Sequence, residues 1–287
     1  MPWDIQESIT TIDSIFNKKI THILSDDDIK NIVKDALHSD SGHQSADIEY
    51  SQQSYQTLCI KHRAICEIIH YTGAPSWQQK TRYLAMIAYS LHRIDMYLTS
   101  EYKLQNIISH ITINVDSIGR RGVASKTIVE FNMGKIKSNK EFLWVISHEF
   151  NHIVDLGILE WTLSKLDYNY TEFGKAHFAI DDPSIDFYKL SRANENTLKP
   201  GIWYEDFVSG YSLTDPFEDF AETANLYLYH HDSFRTMSTS SMILAKKFAY
   251  MDRLYNTQII SKGININDLN NNTSRRPWDT TKVWLSY

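Results

Sequence analysis

The sequence predicts a mainly helical α+β fold with a small β-sheet ahead of one chemically loaded helix, and three observations predict it. The first hundred residues carry apolar side chains at helical spacing. Two short runs of alternating β-branched residues follow. Then comes a capped amphipathic segment containing His148-Glu149-Phe150-Asn151-His152.

Taking the elements in order, helical spacing covers 5–17, 26–37, 53–70 and 76–98, and the polar stretch 39–45 reads as a linker. Residues 1–100 are expected to form a helical N-terminal region, either a recognition lobe or the upper half of the fold, with the chemistry in 101–287. Cys59 and Cys66 are the only cysteines. On an unbroken 53–70 helix their sulfurs would lie about 10 Å apart along the axis, beyond disulfide reach, so they are expected to be small buried apolar residues. Strands are expected at 111–115 and 127–133, separated by a turn at 119–122. Ser138 with Glu141 opens a helix over about 139–156, Leu143, Trp144, Ile146, Phe150, Ile153 and Val154 supply its apolar face, and Gly157 supplies a stop.

On that helix His148 and His152 stand one turn apart on one face, so both imidazoles can reach a single tetrahedral Zn2+ while Glu149 lies beside an open coordination position. Catalytic zinc sites use three protein ligands, so a third must come from elsewhere. The glycine and histidine that a metzincin needs after His152 are replaced by Asp155 and Ile158, which excludes that class. Glu172 stands at a thermolysin-like distance from His152, but Ala176 occupies the place of the aspartate that class carries, and the surrounding residues read as a turn. The second candidate, Glu218, falls on a helix opened by Asp215 as N-cap and Pro216 at its first position, with Phe217, Phe220, Ala221, Ala224 and Leu228 as an apolar stripe and Glu222 and Asn225 beside Glu218. On the residues alone, Glu218 reads equally as a capping partner of Asp215.

Taken together, His148-Glu149-x-x-His152-x-x-Asp155 and a tyrosine, Tyr211, followed by Glu218-x-Phe220-Ala221-Glu222 resemble the zinc metallopeptidase family that includes the catalytic domain of anthrax lethal factor and the Pro-Pro endopeptidases. The resemblance covers about 105–235. It implies a zincin-like fold, one Zn2+ per chain held by His148, His152 and Glu218, Glu149 as general base, and Tyr211 as an electrophilic helper facing the reacting carbonyl. Asn151 stands where family members usually have Gly. Glu222 and Asp155, each one turn beyond a ligand, are candidates to orient the imidazoles from behind, with solvent-facing carboxylates as the alternative. The 160–206 insert is rich in aromatic and charged residues and either shapes a substrate cleft or makes a surface excursion.

The expected activity is therefore hydrolysis of a protein or peptide by a zinc endopeptidase, and the resemblance adds a secreted bacterial effector or toxin as a context. A non-catalytic zincin-fold binding protein is the alternative, and the intact Glu149 weighs against it. Composition bounds the rest. With 287 residues, 42% of them hydrophobic, there is enough chain for a large core, while a net charge of −6 provides no basic stripe and argues against nucleic acid as partner. No run is long and apolar enough to span a membrane and no signal peptide is recognisable, so a soluble monomer is expected. Arg120-Arg121 and Arg275-Arg276 read as isolated pairs, and His177 as a surface residue. His230-His231 is expected to mark a helix C-terminus, where a cationic side chain is favoured.

Overall fold

The computed structural model describes residues 26–40, 50–98, 103–159, 165–172, 174–255 and 276–282. The expected 5–17 helix and most of the 39–45 linker lie outside them.

The chain runs through α1 (Asp26–Ser39), α2 (Gln52–Lys61), α3 (Arg63–Ile68), β1 (Ile69–Thr72), the long α4 (Trp77–Tyr97) and a single turn α5 (Leu104–Ile107) into β2 (His110–Asn114), β3 (Gly122–Ala124) and β4 (Ile128–Asn132). The four strands form one sheet in the order β1-β2-β4-β3, parallel except for the antiparallel edge strand β3. Register places Ile69 beside Ile111 and Ile111 beside Val129, so one face is continuously apolar and packs on helices while the other carries His70, Thr112 and Glu130. Because β1 comes from the first hundred residues and α4 contributes Leu84, Met86, Ile87 and Leu91 to the main core, both sides of residue 100 share one sheet and one core.

The helical reading of 53–70 needs correction. The chain breaks at His62, whose backbone leaves the helical region, and Ile69–Thr72 becomes a strand because its backbone pairs with β2. The break brings the Cys59 and Cys66 α-carbons to 5.3 Å and the two sulfurs are joined, so the expectation of two separate thiols is overturned.

Helix α6 (Asn139–Ile153) runs through the middle of the molecule. The Ser138 hydroxyl accepts the Glu141 amide at 3.1 Å, satisfying one orphan donor of the first turn, and every residue from Glu141 to Ile153 is buried. Phe142 meets Phe131 of β4 edge-on at 5.4 Å and Tyr83 of α4 at 5.3 Å, which ties sheet, α4 and α6 together. Truncating a buried ring such as Phe142 to Ala costs about 3–5 kcal/mol. Beyond Ile153 the chain does not stop at Gly157 but continues as a wide π-helical turn, Val154–Ile158. Gly157 is required for another reason: a Cβ there would collide with the Lys126 carbonyl.

The insert forms β5 (Leu166–Glu172), β6 (Ala176–Ala179), α7 (Pro183–Ser191), β7 (Arg192–Asn194) and β8 (Thr197–Leu198). It packs on the far side of α8 (Pro216–Tyr229), with Phe187 against Phe220 at 5.3 Å and Tyr188 against Phe217 at 5.5 Å. The remaining helices are α9 (His231–Ser238) and α10 (Met242–Leu254). Lys247 of α10 is fully buried and pairs with Asp219 of α8 at 2.7 Å, so the start of α8 is pinned by a charge pair that is costly to break, about 3–5 kcal/mol when one partner is removed.

Candidate metal centre

Helices α6 and α8 lie side by side, and their facing side chains make the site. From α6, His148 and His152 point the same way one turn apart. From α8 comes Glu218. The Asp215 carboxylate accepts the Glu218 amide at 2.8 Å, so the cap uses the backbone of Glu218 and leaves its side chain to turn toward the histidines. Glu218 Oε2 lies 3.0 Å from His148 Nε2 and 3.4 Å from His152 Nε2, and the two Nε2 atoms are 3.2 Å apart. Ligands about 2.0–2.1 Å from a tetrahedral zinc stand roughly 3.3 Å from one another, so these three donors fit such an ion by spacing as well as by type. Among the described residues this is the one group of three His, Cys, Asp or Glu side chains so placed.

The electrostatics are those of two buried imidazoles sharing carboxylates at the floor of a cleft. Burial pulls the His148 imidazole down, but Glu218 and Glu222 outweigh it and raise its pKa well above the ordinary value. His152 is raised the same way, mainly by Glu218. Burial would lift Glu218, yet the imidazoles hold its carboxyl below the usual carboxylate range. Glu149 lies in the same cleft, buried, with its pKa raised by desolvation against the pull of both histidines.

Tyr211 begins a short 3-10 turn, Tyr211–Leu213, just ahead of α8. Its hydroxyl donates to Glu218 Oε1 at 2.8 Å and its ring faces His148 at 6.1 Å between centroids. Glu222, fully buried, places Oε1 3.0 Å from His148 Nδ1, the nitrogen that faces away from Glu218. Its other oxygen accepts the Ser209 hydroxyl at 2.6 Å and the Thr280 amide at 2.7 Å. Asp155 is equally buried, but the π-helical turn carries it to the insert, where Oδ2 accepts the Tyr188 hydroxyl at 2.6 Å, while Asp155 Oδ1 and His152 Nδ1 have no hydrogen-bond partner among the described residues. Burial lifts Asp155 to about 7. Neither carboxylate faces solvent. Glu172 sits at the end of β5, 3.3 Å from Lys126, away from the histidines. His177 is on β6 against Tyr168.

A cleft of about 790 Å³ opens onto His148, Glu149, His152, Tyr211 and Glu218. Its walls come from the turn ahead of β3 and from the C-terminal end of the described chain, and no residue of the described insert lines it. One wall is the 119–124 turn and edge strand. Gly122 lies against Glu149 so closely that any Cβ there would collide with the carboxylate. The other wall is the segment Trp278–Lys282, whose Trp278 carbonyl accepts the Tyr211 amide at 2.6 Å and whose Thr280 amide reaches Glu222. Arg121 bridges the two walls: it donates to Glu141 and Thr281, each at 2.7 Å, and pairs with Asp279. Arg121 is thus a structural cation matched by two carboxylates.

Residues 143–277 match the model of a family described as "Putative zinc-binding metallo-peptidase". That match supports a zinc metallopeptidase. No curated protein and no solved structure matches the chain, and the narrower likeness to the lethal factor group is not confirmed. The metallopeptidase match takes in both histidines, Glu149, Tyr211 and Glu218, and leaves out the edge strand and Trp278–Lys282, which complete the cleft.

Proposed function

We propose that this protein is a zinc-dependent endopeptidase whose metal is held by His148, His152 and Glu218. The observation that carries the reading is the convergence of two imidazole nitrogens and one carboxylate oxygen at tetrahedral ligand spacing, on a cleft that also holds a buried carboxylate and a phenol.

When bound there, zinc would polarise a scissile carbonyl and make water a nucleophile near neutral pH. Glu149, with its pKa raised by burial, accepts a proton from the attacking water and returns it to the leaving amine. Tyr211 keeps its proton, because burial and the adjacent Glu218 raise its pKa, so its hydroxyl can donate to the oxygen on which charge develops. Glu222 orients His148 through Nδ1. β3 is an edge strand on the cleft wall, and among the described residues nothing pairs with its outer side, so an extended chain can add to it without needing a terminus; that favours internal cleavage. A secreted effector role rests on the family resemblance alone.

The test is zinc content and cleavage of a proteome-derived peptide mixture by native protein and Glu149→Gln. Both forms are expected to hold zinc, with turnover falling by about 100-fold or more in the variant. Native protein that holds zinc but cuts nothing would point to a zinc-holding binding protein instead.

A further inference from the structure

The cleft carries a charge that the chain as a whole does not. In a protein of net charge −6, the mouth of the cleft is lined by Arg120, Lys135, Lys137 and Lys282, all exposed. Among the described residues, Arg120, Lys135 and Lys137 have no carboxylate within ion-pair distance, and Lys282 reaches Asp279 only at 3.9 Å. The acidic residues of the same lining are otherwise engaged. Glu141 and Asp279 are taken up by Arg121, while Glu149 and Glu218 lie at the metal-facing floor. The unspent charge at the rim is positive, and low-dielectric walls on either side focus its field into the opening.

We infer that the cleft selects acidic peptides, with Asp or Glu of the bound segment lying against Arg120, Lys135 and Lys137. Arg120 sits in the turn that leads into β3, and Lys135 and Lys137 lie between β4 and α6, so all three flank the strand along which an extended segment would run. Charged side chains on either side of the scissile bond would meet them whatever residue fills the position next to the metal. These lysines and the arginine act on capture rather than on bond cleavage, because among the described residues the side-chain hydrogen bonds and ion pairs of His148, His152 and Glu218 are with one another, Glu222 and Tyr211. This inference rests on the peptidase reading above, and the experiment separates the two.

Zinc-loaded native protein and an R120E/K135E/K137E variant are each given a proteome-derived peptide mixture, and the cleaved peptides are read by mass spectrometry. In parallel, a Glu-rich and a Lys-rich fluorescent peptide of equal length are titrated against both proteins at low and high salt. Native protein is expected to cut peptides enriched in Asp and Glu around the cleaved bond and to bind the Glu-rich peptide about 10-fold more tightly or better, an advantage that high salt erodes. The variant is expected to lose both preferences at equal zinc content, with K135Q/K137Q intermediate as a milder change. Cleavage without acidic enrichment, or enrichment that survives the charge reversal, would overturn the inference and leave the peptidase reading standing. Acid-selective binding with no cleavage would do the reverse.

Discussion

The seam between α6 and α8 has two ends, and they treat histidine in opposite ways. At one end His148 faces Glu218 and Glu222 and is raised well above its ordinary pKa, and His152 faces Glu218 and is raised as well. At the other, His230 caps α8, packs on Trp144 at 5.0 Å and has no hydrogen-bond partner for either ring nitrogen among the described residues, with Arg93 nearby stacked on Tyr229 at 4.5 Å. Burial and Arg93 push His230 down to about 4. The expectation of a cationic histidine at this helix end is thus half right: the position is the C-terminus, but the imidazole is neutral because desolvation outweighs the helix dipole. The same residue type along the same pair of helices becomes a candidate ligand or a filler according to whether a carboxylate is supplied.

The comparison breaks most sharply if the carboxylate is removed. Glu218→Ala is expected to reduce zinc to background and abolish cleavage, whereas Glu172→Ala leaves zinc content unchanged; metal analysis of the two decides which glutamate belongs to the site. Tyr211→Phe is expected to keep zinc and lower kcat by about 100-fold with little change in KM, since its hydroxyl acts where charge develops. Unaltered kcat would reduce Tyr211 to packing. Next in size, Glu222→Gln is expected to cost about 10-fold or more in zinc affinity or activity by loosening His148, which titration against a competing chelator would measure.

The smallest effect sharpens the other end. A histidine held neutral with a depressed pKa contributes stability that is present above about pH 6.5 and is lost as pH falls toward 4. His230→Leu is therefore expected to lose less stability than the native chain between pH 7 and 5 in denaturant titrations, and equal losses would show that His230 is not buried in its neutral form.

What was legible follows from range. His148, Glu149 and His152 fall within one helical turn, and the helix carrying Glu218 announces itself through Asp215, Pro216 and its apolar stripe, so local periodicity places both. The role of Arg121 depends on Asp279, 158 residues away, and Glu222 depends on Thr280, 58 residues away; no local pattern encodes either pairing. Gly122 is required only because Glu149 lies against it. The 53–70 segment misled for the same reason: Leu58, Cys59, Ile68 and Ile69 fit a helix, but pairing with β2 claims the last residues for a strand. The composition of the 160–206 insert leaves a cleft wall and a surface excursion equally open, and only the fold shows that its described residues line no part of the cleft while Phe187 and Tyr188 pack on the back of α8.

Helix α6 is buried along its length and held by rings from β4 and α4 that owe nothing to a metal. Small zinc modules collapse when stripped, because the ion supplies their folding energy. On the reading proposed above, a bound ion would be a passenger in a socket that the core already builds. Chelation would then silence the protein without unmaking it, and refilling would not require the chain to find its fold again, so metal supply would set how many molecules work while their number stays constant.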